Sequence, residues 1–299
     1  MRLGYVAGLL ALIPFSTASA EIDIEQRIFE VADGRKLYME CAGVGEPAVL
    51  LIGGLRAGAD YWNRNAEGEA SVFRRVAQFT RVCSYERPGT VWGNNQFSRS
   101  DAIVQPTTQA PAVSDLRDLI TASGETGPYV LAAHSYGGFI ARSFAGLYPE
   151  DVVGLVLVDA LSEGFEAALS EEQFAAWKAT TAVPDEDIAL YPGIERLDFD
   201  AVMQQMRESA PLTEMPLVVL SADRRYGAEW EGMIESGALP PDTPVDLGYA
   251  IDAAQQASQS FQANLLDGAK HITETHSGHD IPHENTGLVV ETIRGIVAK

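Results

Sequence analysis

Four short runs, "AVLLI", "YVLAAH", "VVGLVLV" and "PLVVLSA", are apolar at almost every position. A strand with one face in water alternates apolar and polar residues. A strand apolar on both sides must be covered on both faces, as in a parallel sheet sandwiched between helices. Segments with helical spacing of apolar residues fall between these runs: "EGEASVFRRVAQF", "VSDLRDLITAS", which Ser114 is expected to cap, and "GGFIARSFAGLYP". "TRVCSYERPG" adds a further strand, and "QRIFEVADGRKLYMEC" reads as two strands joined by a turn at Asp33-Gly34. Strands alternating with helices predict a doubly wound α/β domain. A length of 299 residues and 46% hydrophobic content are enough for one such core with insertions.

The alternation breaks between residues 161 and 215, which are acidic, helical and rich in aromatics ("FEAALSEEQFAAWKATTA", "FDAVMQQMRESA"). This stretch predicts a helical cap inserted into a core formed by residues 21–160 and 216–299. A long insert leaving the strand ends of an α/β sheet is placed to roof a ligand crevice. After Asp223 follow a loop, the helical "GYAIDAAQQASQSFQANLL", a short strand "KHITETH", and a last helix "TGLVVETIRGIVA".

The first twenty residues are of another kind. Arg2 precedes a short apolar run that ends in Ala18-Ser19-Ala20, with small residues at the −3 and −1 positions. This predicts a signal peptide cleaved after Ala20, and hence a secreted or periplasmic protein. The run is too short to span a bilayer comfortably, and no later stretch is a membrane-helix candidate. The chain carries 42 acidic against 21 basic residues, a net charge of −21 that loss of Arg2 takes to −22. Such a surface repels nucleic acid and anionic membranes, so neither is an expected partner.

"LAAHSYGG" puts a hydroxyl where an apolar strand turns into a helix. A sharp strand-to-helix turn strains the turn residue and admits only small residues two before and two after it, here Ala133 and Gly137. The turn aims the Ser135 hydroxyl out of the sheet top and leaves the Tyr136 N–H at a helix N-terminus, where a developing oxyanion is favoured. This is the nucleophile-elbow pattern with alanine at its first small position. His134 precedes the serine, and its side chain is expected to point away from the hydroxyl and to shape the pocket, so the base is expected from elsewhere. His279, in the loop "HSGHDIPHEN", is the candidate, with His276 and His283 as rivals. Glycine and proline in this loop break the helical spacing that a two-histidine metal site uses. No metal or organic cofactor is expected.

"AVLLIGGLRAGADYW", "RVCSYERPGTVWG", "GPYVLAAHSYGGFIARSFAGLYPEDVVGLVLVDA" and "SGHDIPHENTGLVVETI" resemble the α/β-hydrolase family, in its capped branch of esterases and proline iminopeptidases. The resemblance covers nearly the whole chain after residue 20, except the cap and the segment after Asp223. It implies a mostly parallel eight-stranded sheet, Ser135 as nucleophile, His279 as base, and a second oxyanion donor at the Leu55 backbone N–H after Gly53-Gly54. The haloalkane dehalogenases and epoxide hydrolases share this architecture but place aspartate at the elbow. Serine implies acyl transfer through a covalent intermediate. For the triad acid two positions remain. Asp159, ending "GLVLVDA", is favoured, and Asp223, after "PLVVLSA", is the alternative. In this fold the second and fourth strands are neighbours, which makes a disulfide between Cys41 and Cys83 the expectation and two buried thiols the alternative. Glu86-Arg87-Pro88-Gly89 reads as a structural turn with an ion pair. Trp62, Trp92, Phe165, Phe174 and Trp177 are candidates for an apolar pocket, or for plain core.

The expectation is an exported serine hydrolase acting on carboxylic esters. Its alternatives are a small-peptide or amide hydrolase, an acyltransferase or perhydrolase, and a ligand receptor built on a hydrolase fold.

Overall fold

The computed structural model describes residues 22–65, 69–92 and 96–299; the expected signal peptide and its cleavage after Ala20 lie outside the described residues. The strands are β1 (Ile24–Glu30), β2 (Lys36–Ala42), β3 (Ala48–Ile52), β4 (Val82–Glu86), the two-residue pair β5 (Val91–Trp92) and β6 (Gln96–Phe97), β7 (Tyr129–His134), β8 (Val152–Val158), β9 (Leu217–Leu220) and β10 (Lys270–Ile272). Eight of them form one sheet in the order β1-β2-β4-β3-β7-β8-β9-β10. Only β2 runs against the rest. The mostly parallel sheet expected from the continuous apolar runs is present, and the Asp33-Gly34 turn joins β1 and β2 as an antiparallel hairpin.

The helices are α1 (Asp60–Asn63), α2 (Val72–Val76), α3 (Gln109–Ser123), α4 (Gly137–Leu147), α5 (Glu163–Ala167), α6 (Glu171–Thr180), α7 (Asp185–Leu190), α8 (Phe199–Arg207), α9 (Trp230–Glu235), α10 (Leu247–Ala263), α11 (Ile281–Glu284) and α12 (Thr286–Val297). The pleat sends alternate residues of each central strand to opposite faces. Leu50, Leu131, Ala133, Leu155 and Leu157 pack with Leu116 of α3 and Phe139 and Phe144 of α4. Val49, Leu51, Val130, Ala132 and Val156 pack with Phe73 of α2 and Val289 and Ile293 of α12. Both faces are dry, and that is why these strands carry no polar alternation.

The structure corrects the start of α3. The helix begins at Gln109, so Ser114 lies inside it and caps nothing; Thr108 holds the N-cap position. Pro111 does not block the earlier start, because the first-turn N–H groups have no partner within a helix in any case. Between β8 and β9 the chain runs through four helices, α5 to α8. Among the described residues, no helix is long and apolar enough to cross a membrane.

Cys41 and Cys83 face each other directly across β2 and β4 and are joined by a disulfide, at a separation of 42 positions in sequence. It fastens the one reversed strand to the parallel body. Closing a loop of that length stabilises the fold by about 4 kcal/mol in the chain-entropy model. Denaturant unfolding with and without reductant is expected to differ by about that amount. Titration of unfolded, unreduced protein is expected to find no thiol, and one free thiol per cysteine would refute the bond.

Candidate active site

β7 ends at His134, and the chain turns through Ser135 and Tyr136 into α4. Ser135 has φ of 53°, the left-handed region that costs a non-glycine residue about 1–3 kcal/mol. The corner is bolted in place from both sides. Ser135 N–H donates to the Val158 carbonyl at 3.2 Å, and the Ser135 carbonyl accepts from Leu161 N–H at 3.1 Å and Gly138 N–H at 3.0 Å. Gly137 passes so close to the end of β3 that a Cβ there would sit 2.6 Å from the Ile52 carbonyl oxygen. A small residue two after the serine is therefore obligatory. Four non-glycine residues have positive φ among the described residues: Arg56, Ser135, Asp159 and His276. The first three line one cavity of about 590 Å³. Strain gathered in this way is typical of a functional site.

The loop after β3 leans over the serine. A Cβ on Gly54 would lie 3.1 Å from Ser135 Cβ and 3.6 Å from its Oγ. Arg87 holds this loop from behind, donating to the Gly53 carbonyl at 3.0 Å and the Gly54 carbonyl at 2.6 Å. In a trans peptide the N–H points opposite to the C=O. With the Gly54 carbonyl turned to Arg87, the Leu55 N–H is turned the other way, and Leu55 lines the cavity. Tyr136, whose N–H opens α4, lines it too, and its ring lies 5.2 Å from the Arg87 guanidinium carbon.

Arg87 is buried and paired at both ends of its fork with Glu195, Nε to Oε1 at 2.7 Å and Nη2 to Oε2 at 3.0 Å. Glu195 is also buried, and comes from the segment between β8 and β9. The turn at residues 86–89 is thus more than local. Its two charges pair elsewhere, Glu86 with Arg99 and Arg87 with Glu195. The motif gave a hint of Arg87; nothing in the sequence marks Glu195 as its partner.

His279 and Asp159 are in direct contact, Nδ1 to Oδ2 at 2.7 Å. The other Asp159 oxygen accepts from Ala222 N–H at 3.0 Å. Burial would raise the Asp159 carboxyl, but the His279 hydrogen bond and charge, with the Ala222 amide, hold it below its ordinary value. Burial pulls His279 down, and the Asp159 hydrogen bond and charge outweigh it, leaving the imidazole above its ordinary value. Both residues share the cavity with Ser135.

Asp223 is placed differently. Its two oxygens accept from the backbone N–H groups of His276, at 2.9 Å, and Ser277, at 3.0 Å. It holds the shape of the loop that carries His279. The rival histidines are also engaged elsewhere. His276 is exposed, and His283 Nε2 donates to the Tyr61 carbonyl at 2.7 Å. His134 is buried against Tyr61 and His279 and donates from Nε2 to the His279 carbonyl at 2.9 Å. A carbonyl only accepts, so Nε2 carries the proton and Nδ1 is a bare acceptor. Burial, and then the neighbouring His279, push His134 down to about 3, so it stays neutral beside His279. Of the aromatic candidates, Phe165 and Trp177 line the cavity, with Phe174 stacked behind Trp177. Trp62 is core on the opposite face of the sheet. The side chain of Trp92 lies outside the description.

The family model of the alpha/beta hydrolase family matches residues 49–292. The chain belongs to the α/β-hydrolase family. An uncharacterised protein of Schizosaccharomyces pombe is 37% identical over 99 residues, which is 33% of this chain and 17% of that protein. A 1-acylglycerol-3-phosphate O-acyltransferase of Arabidopsis thaliana is 28% identical over 138 residues, 46% of this chain and 30% of the plant enzyme. Both alignments span well under two thirds of the relative's length. A solved structure described as a thermophilic esterase from Thermogutta terrifontis, with malate bound, superposes with a TM-score of 0.55 at 18% identity, covering 91% of this chain and 97% of that one. It shares the fold.

Asp159→Asn and Asp223→Asn separate the two carboxylates. The rate of fluorophosphonate labelling depends on the neutral form of the base, so its acid limb is expected above about pH 6.5, the free imidazole value. Asp159→Asn removes the larger part of what raises His279, leaving the charge of Asp280 against the burial that lowers it. The limb is then expected to move to lower pH, with a loss of about 10⁴-fold in rate. Asp223→Asn is expected to move neither. Equal, mild losses from both would exclude Asp159 from this role.

Proposed function

We propose that this protein is an exported serine hydrolase that cleaves carboxylic esters through an acyl-enzyme intermediate. One observation carries the proposal: a serine held in left-handed backbone at a strand–helix corner shares a cavity with a histidine bound to a buried aspartate. In this reading Ser135 Oγ attacks the ester carbonyl while His279 Nε2 takes its proton. Asp159 fixes the imidazole so that Nδ1 carries the other proton, and stabilises the imidazolium that forms. The N–H groups of Tyr136 and Leu55 donate to the oxyanion. His279 returns the proton to the departing alcohol. Water, deprotonated by the same imidazole, then attacks the acyl-serine and releases the carboxylic acid.

Residues 161–215 serve as the cap. Leu161, Phe165, Trp177 and Phe199 from this stretch supply apolar wall to the cavity, a surface suited to an acyl chain or an aryl group. Residues 21–160 and 216–299 form the core that carries the triad. Export rests on the character of residues 1–20 and on the Cys41–Cys83 disulfide, a bond that persists in oxidising compartments. Transfer to an alcohol acceptor instead of water is the second reading, favoured by the similarity to the plant O-acyltransferase. The two readings share every step up to the acyl-serine.

Exposure to a fluorophosphonate followed by peptide mapping is expected to give a single adduct, on Ser135. Ser135→Ala is expected to lower turnover of any ester substrate by a factor on the order of 10⁶. A variant keeping a tenth of the activity, or an adduct elsewhere, would remove Ser135 from the mechanism.

A further inference from the structure

Of the four arginines that line the cavity, Arg224 is paired with Glu284, Arg64 and Arg225 are exposed and have no ion pair among the described residues, and Arg56 alone is half-buried. It follows Leu55 directly and is held with φ of 61°. Its backbone N–H donates to Glu195 Oε2. Its guanidinium, half-buried in the cavity wall, has one hydrogen-bond partner among the described residues: both Nη atoms donate to the Thr181 carbonyl at 3.1 Å. A guanidinium offers five N–H donors, so three remain. Among the described residues no carboxylate forms an ion pair with it; the half-buried Arg74 and Arg196 also lack one, but neither lines the cavity. Glu195 is near but is already committed to Arg87 at both oxygens, so Arg87, Glu195 and Arg56 together carry a net single positive charge.

The cavity's carboxylates leave that charge in place. Asp159 is bound to His279 and the Ala222 amide, Asp252 to the amides of Tyr226 and Gly227, and Asp280 to the Tyr61 hydroxyl. The chain has two acidic residues for each basic one, so carboxylates are not scarce. A half-buried cation facing a cavity that is otherwise largely apolar is costly unless something anionic enters. Burial accordingly pulls Arg56 down from its ordinary value, against the pull of Glu195.

We propose that Arg56 is an anion anchor of the substrate cavity and that the ester presented to Ser135 carries an oxyanion, a carboxylate or a phosphate. The proposal rests on Ser135 acting as the nucleophile. The anion takes the free donors of the guanidinium, and the adjacent Leu55 amide then meets the carbonyl under attack. Thr181 closes α6, so the same side chain also ties the oxyanion loop to a helix C-terminus. That tie alone would make Arg56 structural, and the test must separate the two roles.

The experiment compares matched substrates. p-Nitrophenyl hemiglutarate is set against its neutral methyl glutarate analogue, and an acyl ester of glycerol 3-phosphate against the corresponding acylglycerol. The wild-type protein is expected to favour the charged member of at least one pair by tenfold or more in kcat/KM. The pair that responds tells carboxylate from phosphate. Arg56→Gln is expected to erase that ratio, and Arg56→Lys to keep its sign. A purely structural role would lower both members in parallel and leave the ratio intact, and that result overturns the proposal. So does a wild-type ratio near one in both pairs. Should Arg56→Gln not fold, the wild-type ratios and Arg56→Lys still decide. Calorimetry of monomethyl glutarate on Ser135→Ala, with and without Arg56→Gln, keeps the two readings apart. Binding that needs Arg56 without turnover of any ester would overturn the esterase reading and support the anchor. Turnover without charge preference would do the reverse.

Discussion

The left-handed backbone at Ser135 is the constraint around which the rest of the site is arranged. A residue in that conformation stays there only if its surroundings over-determine it. Here β8 takes its N–H, the chain leaving β8 takes its carbonyl, and the end of β3 abuts Gly137. Two of these contacts come from β8 and its exit and the third from the end of β3, the strands on either side of β7. The parallel sheet is thus what makes the corner affordable, because it delivers three strand ends to one edge in the same direction. The oxyanion loop and the Asp159 turn are simply the continuations of two of those strands.

Much of this could be read from the chain. The continuous apolar runs demanded a sheet covered on both faces, and the family and the eight-stranded sheet follow the expectation. The elbow was visible because its geometry imposes small residues at fixed spacing around Ser135. The choice between Asp159 and Asp223 was only a preference for Asp159, because the two aspartates follow neighbouring strands. Asp159 meets His279 across 120 residues of sequence, and only the folded chain brings them within 2.7 Å. The Arg87–Glu195 pair was hidden for the same reason, spanning 108 residues with one partner inside the segment of weakest resemblance. Ser114 misled because a polar residue before a helical pattern is also common one turn or more inside it.

The charge distribution runs in two directions. The exterior is strongly acidic, while the cavity wall keeps an arginine with no acid of its own. His134 adds a neutral imidazole that braces the His279 carbonyl and is too buried to take a proton readily. The site therefore contains two adjacent histidines of opposite disposition. One is raised by a carboxylate, and the other is lowered by burial.

Glu195 gives the inserted segment a stake in the chemistry below it. It is the sole carboxylate partner of Arg87 among the described residues, and Arg87 sets the peptide planes of Gly53 and Gly54. Leaving one member of a buried ion pair alone costs about 3–5 kcal/mol. The insert is therefore not an interchangeable module. A chimera that received the corresponding segment from another hydrolase, without an acid at this place, would strand a guanidinium in the core and loosen the loop beside the serine. Such a graft would alter turnover before it altered substrate choice, and exchange of specificity by recombination would have to carry residue 195 with it.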